Sequence, residues 1–192
     1  MIIGLVGPSL CGKDTFVKLF GEFVCDRQIA IVSTSVILRK TLNLWCLPPM
    51  RDNFQKLPVA MNDAYGEGTF SNVICHHIHA AKINNDIVVV NALRLPSDLA
   101  MLRSFSPNLL VHLTADEKVR YPRALLRKEK AGEERLTYEE FLCQEGAHTE
   151  CFIADIASHA DVPAMLNNGT VDDFRLQVQR LYVDWVYPLL SV

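Results

Sequence analysis

A three-layer α/β fold is what the sequence predicts: a five-stranded parallel sheet, helices on both faces, and a helical lid. Short β-rich runs alternate with longer helical patterns along the whole chain, the arrangement of a parallel sheet with crossover helices. Ile87-Val88-Val89-Val90 shows no polar alternation, as expected of a strand covered on both faces. The first apolar run leads through a glycine-rich turn straight into a helical pattern. The length of 192 residues suits one domain, 1–192.

The expected strands are 2–6, 29–32, 86–90, 109–113 and 162–166, the last weakened by Pro163 and so placed at an edge. Between them, a helix over 15–25 sets Phe16, Leu19, Phe20 and Phe23 on one face. A shorter helix covers 36–44. Helices over 53–65 and 69–83 form a pair separated by Gly66 and Gly68. The helix over 96–105 begins at Pro96, where the missing N–H costs nothing. Helices over 116–130 and 137–146 follow, the second with Glu140 three residues after Thr137 as a capping box. Thr170 caps a final helix over 171–190. The charge-dense stretch 120–135 reads as an inserted lid, within a segment of about 116–148. No internal repeat or low-complexity tract interrupts the pattern.

Gly7, Gly12 and Lys13 match G-x-x-x-x-G-K, and the match falls between an expected strand and an expected helix, the context that gives the motif meaning. Its glycines let backbone N–H groups turn toward phosphate oxygens. The helix adds the positive end of its dipole, and Lys13 adds a point charge for the β- and γ-phosphates. Gly7, Pro8, Ser9, Leu10, Cys11, Gly12, Lys13, Asp14 and Thr15 are therefore expected to bind a nucleoside triphosphate. Where this motif usually carries a serine or threonine hydroxyl for Mg²⁺, the chain has Asp14, a carboxylate that also suits a hard cation.

The G-K-D-T form of the loop resembles that of P-loop small-molecule kinases, such as deoxynucleoside monophosphate kinases and adenylate-kinase-like or dephospho-CoA-kinase-like proteins. Further blocks resemble the same group in order. Ser33 to Arg39 resembles S-x-S-D-x-L-R, and Val90 to Pro96 resembles V-D-G-I-R-x-P. Val119-Arg120-Tyr121-Pro122-Arg123 with Arg127 resembles its lid, and Asn167-Asn168-Gly169-Thr170 its N-x-G-T turn near the adenine. The resemblance implies the P-loop NTPase fold, ATP and Mg²⁺ as cofactors, and transfer of a phosphoryl group to a small-molecule phosphate acceptor. A (deoxy)nucleoside monophosphate comes first and dephospho-CoA second. It implies catalytic roles for Lys13, Asp14, Arg120, Arg123 and Arg127, with Asp14 the metal ligand. On a helix the three arginines share one face. Arg39 and Arg94 follow expected strand ends, where open α/β sheets bind ligands, and are the acceptor-binding candidates. Asn168 and Gly169 join the nucleotide site.

Two acids of that group are missing. Asn91 stands where it usually has Asp, and so does Val36. These departures bear on turnover and leave nucleotide binding largely intact, so a nucleotide-binding regulatory protein that has lost catalysis is the reading of another class.

The formal net charge of −3 argues against a general nucleic-acid or membrane-surface binder, so any cationic site must be local. No apolar run approaches the ~20 residues that span a bilayer. The six cysteines form no C-x-x-C pair and read as free thiols of a reducing compartment, which with the missing leader pattern points to the cytoplasm. Cys75, His76, His77 and His79 lack further ligands at fixed spacing and read as helix-surface residues rather than a metal site. Nothing in the residues indicates an oligomeric state.

Overall fold

The computed structural model describes residues 1–127, 136–146 and 151–190. Its sheet has five strands in the order β2-β3-β1-β4-β5: β1 (Ile2–Val6), β2 (Ile29–Ser33), β3 (Ile87–Leu93), β4 (Asn108–Thr114) and β5 (Met165–Leu166). Every pairing is parallel. The helices are α1 (Lys13–Phe23), α2 (Thr34–Leu44), α3 (Arg51–Tyr65), α4 (Thr69–Lys82), α5 (Pro96–Arg103), α6 (Glu117–Arg127), α7 (Tyr138–Glu145), α8 (Ile153–Ser158), α9 (Val171–Leu181) and α10 (Tyr187–Leu190).

The period of two in the central strands builds two cores. Ile2, Val6, Val88, Val90 and Leu110 point to one face, where Leu42, Phe54, Ile74, Ile78 and Leu102 cover them. Ile3, Leu5, Val89 and Val111 point to the other, against Phe16, Phe20, Phe174 and Val178. Burial of both faces explains why the strands read as unbroken apolar runs. Gly4 permits the close approach of α5: a Cβ there lies 2.7 Å from both Leu102 and Leu93 side chains.

Three elements differ from the sequence expectation. β5 shrinks to Met165–Leu166 because Pro163 has no N–H for the ladder. The Asp161 carboxylate instead accepts from Leu110 N at 2.6 Å. The last helix is interrupted by a π turn over Tyr182–Val186. Pro188 has no donor to close onto Asp184, and its ring crowds that carbonyl, so a wider turn precedes it. Helix α8 was not expected. It is too short to show a helical period, yet Ile153 and Ile156 anchor it in the first core. The expected helix 116–130 is seen to Arg127, and the rest of the lid stretch at 128–135 and 147–150 lies outside the described residues. Thr137 and Glu140 do form their reciprocal cap, at 3.2 and 2.8 Å. Among the described residues no helix is long and apolar enough to cross a membrane.

Candidate active site

The turn between β1 and α1 leaves the middle of the sheet, with β3 and β4 on either side. Gly7 has φ 154° and Gly12 φ 104°, and a Cβ on either meets Leu113 O or Asn167 Nδ2 below 3.0 Å, a separation that real Cβ atoms do not reach. Leu10 also sits in the left-handed region, at φ 65°, at a cost of roughly 1–2 kcal/mol for a residue with a side chain. Gly12 caps α1 without a side-chain hydrogen bond, so the first N–H groups of the helix are left to other partners. The Lys13 ammonium lies within the turn and donates to the carbonyls of Gly7 and Pro8, each at 2.7 Å.

The turn is braced from the far side of the chain. Asn167, buried after β5, donates to Cys11 O at 3.0 Å. Arg123 donates to Leu10 O at 3.2 Å and Asn167 O at 3.0 Å. Arg120 donates to Ser9 O at 3.2 Å and Ala115 O at 2.8 Å. It also pairs with Glu145 and lies over the Phe141 ring.

In front of the turn opens a cleft of about 660 Å³, within the range of small-molecule sites. Ser9, Leu10, Gly12, Lys13, Asp14 and Thr15 line it, with Arg94, Arg123, Arg127 and Gly169. Of the other candidates, Gly7, Pro8, Cys11, Asn168, Arg39 and Arg120 do not. Asn168 accepts from Asp116 N at 2.8 Å. The Arg39 guanidinium lies over the Phe54 ring, 5.8 Å from its centroid. Cys11 is buried. The cleft cations are Lys13, Arg51, Arg94, Arg123 and Arg127, against the carboxylates of Asp14 and Asp98. A chain of net charge −3 thus concentrates positive charge where the sheet ends, which attracts anionic ligands.

Both departures noted in the sequence fall in this cleft. Val36 is 49% exposed and lines it beside Phe54, Pro58 and Phe70. Asn91 lies in β3, two residues before its end at Leu93, and its Nδ2 donates to Asp14 Oδ1 at 2.6 Å. Its Oδ1 is buried without a hydrogen-bond partner. Ala92 beside it is held at φ 78°, and Thr34 Oγ1 donates to the carbonyls of both residues at 3.2 Å.

Asp98 and Arg51 are cleft residues that sequence reasoning missed, while Asn167, the first residue of the N-x-G-T block, lines the cleft with Gly169. Asp98 sits at the third position of α5 and closes its capping box, accepting from Arg94 N at 2.9 Å and Leu95 N at 3.0 Å. Ser71 donates to its other oxygen at 2.7 Å. Burial pushes its carboxyl above the ordinary range, against the Ser71 hydroxyl, these N–H groups and the Arg94 charge, which pull it down. An acid three residues into a proline-led helix was its available signal. Arg51 has no comparable signal, because its partner Glu145 lies 94 residues away.

No protein-family model matches this chain, and no curated protein sequence does either. Solved structures do. A shikimate kinase from Bacteroides thetaiotaomicron superposes with a TM-score of 0.58 at 14% identity, over 95% of this chain and 97% of its own. A sugar kinase from a Janibacter species gives 0.55 at 11%, over 99% and 96%. A shikimate kinase from Acinetobacter baumannii, in complex with shikimate, gives 0.51 at 14%, over 95% and 92%. At such identities the likeness establishes the fold: the chain has the α/β P-loop architecture of these small-molecule kinases.

Proposed function

We propose that this chain is an ATP-dependent phosphotransferase acting on a small anionic acceptor, a (deoxy)nucleoside monophosphate first and dephospho-CoA second. The observation that carries the reading is a glycine-built phosphate turn, with Lys13 inside it, opening into a cleft lined by arginines. Phosphoryl transfer needs little covalent help and much positioned charge. Lys13, Arg123 and Arg127 supply that charge around the phosphates. Arg120 buttresses the turn through Ser9 O. Arg94, whose backbone Asp98 fixes, faces the acceptor.

Mg²⁺ fits the residues present. The exposed Asp14 carboxylate is a hard oxygen donor in the cleft, and the Asn91 amide that touches it through Nδ2 keeps a buried Oδ1 without a partner. Among the described residues no group of three or more His, Cys, Asp or Glu is placed to hold a metal, so substrate phosphates would complete its shell. When bound, the ion neutralises developing charge on the transferred group.

The test offers ATP with a panel of nucleoside monophosphates, dephospho-CoA, shikimate and sugars, the last two being acceptors that the structural neighbours' names suggest. The expected result is ADP together with a phosphorylated acceptor, both abolished by Lys13→Ala. ADP at background with every acceptor sinks the kinase reading for that panel. The apolar Val36 and uncharged Asn91 in the cleft favour one second reading, a nucleotide-binding regulatory protein without turnover. It predicts ATP affinity without product, and activity only after Val36→Asp and Asn91→Asp are combined.

A further inference from the structure

Glu145, at the end of α7, sits between two arginines from other helices. Its Oε1 accepts from Arg51 at 3.2 Å, and its Oε2 pairs with Arg120. The three side chains are 10% (Arg51), 9% (Arg120) and 18% (Glu145) exposed, so the triad is largely withdrawn from water. A buried Arg–Glu–Arg triad is a poor device for stability, since apolar side chains of the same volume often do as well or better.

The two arginines are not equivalent. Arg120 is committed to Ala115 O, Ser9 O and the Phe141 ring. Arg51 lines the cleft from the first turn of the 15-residue helix α3. That helix begins at Met50 without a side-chain cap, so the positive end of its dipole lies beside Arg51. A guanidinium fork presents the same donor geometry to a carboxylate and to a phosphate. A phosphate dianion carries one more negative charge than a carboxylate to set against a guanidinium.

We propose that Arg51 is an oxyanion-binding residue of the cleft and that Glu145 is its exchangeable counter-ion. The Glu145 carboxylate takes the guanidinium face that the phosphate of an incoming ligand takes when it binds. The inference deepens the proposed function by naming what grips the acceptor, and it rests on that reading for the acceptor's anionic character. It also gives α7 a role: it carries the carboxylate that must yield before the acceptor seats.

The probe is inorganic phosphate, titrated in a thermal-shift experiment against chloride at equal ionic strength. The titration is run with and without a saturating β,γ-imido analogue of ATP. With Glu145→Gln the midpoint is expected at about tenfold lower phosphate than in wild type, because the competitor is gone. With the analogue filling the phosphate turn, Arg51→Gln is expected to abolish the remaining phosphate-specific shift while the analogue's own shift stays. An acetate titration separates the two anion chemistries, and an acetate response equal to that of phosphate overturns the phosphate assignment. An unchanged midpoint in Glu145→Gln overturns the proposal, as does a phosphate response retained in Arg51→Gln with the analogue bound. Where Glu145→Gln does not fold, Arg51→Gln decides alone. Failure of the wild type to respond to the ATP analogue is a different result: it overturns the nucleotide reading, while the phosphate titration without analogue still judges Arg51 and Glu145.

Discussion

Replacing Asn91 by aspartate tests the geometry around Asp14 most directly. The amide now donates to Asp14 Oδ1 at 2.6 Å. In Asn91→Asp that donor becomes a second carboxylate at hydrogen-bond distance from the first. Losing a hydrogen bond to a charged group costs about 1.5–3 kcal/mol. Two charges about 4 Å apart repel by about 1 kcal/mol in bulk water and about 4 kcal/mol at the effective dielectric of a protein surface, and the exposure of Asp14 favours the lower figure. The total is about 3 kcal/mol, or roughly 6–12 °C in Tm for a chain of this size. A divalent cation placed between the carboxylates reverses the sign. The expected outcome is a variant that melts well below wild type in EDTA and recovers with millimolar Mg²⁺, while wild type barely responds to the metal. Equal melting of the two proteins in EDTA refutes the proposed contact. A deficit that Mg²⁺ does not repair refutes Asp14 and position 91 as a shared metal site.

Gly12→Ala places a Cβ against Asn167 Nδ2 at a backbone angle unfit for side chains, so calorimetry should show a loss of stability of at least about 2 kcal/mol together with loss of ATP-analogue binding. Ala92→Gly relieves roughly 1–2 kcal/mol of left-handed strain at φ 78° and gives back part of it through the freer unfolded chain, for a net gain of about 0.5–1 kcal/mol in denaturant unfolding. Burial, and secondarily the Lys13 charge, hold His112 below its ordinary pKa of 6.5. The native chain therefore keeps His112 neutral while the unfolded chain protonates it, so this stability is present above about pH 6.5 and is lost as pH falls through the native value. Melting at pH 8 and pH 5.5 should show a smaller acid loss for His112→Asn than for wild type.

What the sequence made legible was local. The unbroken apolar run Ile2–Val6 announced a strand, and Gly7, Gly12 and Lys13 announced the turn after it, because both signals lie within one short window. Arg94, Arg123 and Arg127 also line the cleft, whereas Arg39 turns onto Phe54. Spacing alone does not distinguish a cleft arginine from one stacked on its neighbour. The contacts that shape the site join distant segments: Asn91 with Asp14 across 77 residues, Asn167 with Cys11 across 156, and Arg51 with Glu145 across 94. Such pairings follow from the 2-3-1-4-5 strand order, which a single sequence does not display. The shortened β5 and the π turn were missed in detail because Pro163 and Pro188 act through the backbone partners they lack.

The bracing of the phosphate turn has a kinetic consequence. Asn167, Arg120 and Arg123 hold its carbonyls in place, and its two glycines already occupy their strained angles. The receptor's shape is thus established during folding, and an arriving nucleotide has little disorder to remove. Association should then be a single concentration-dependent step in stopped flow, without a slow phase that saturates. Selectivity between nucleotides would reside in how quickly each one leaves.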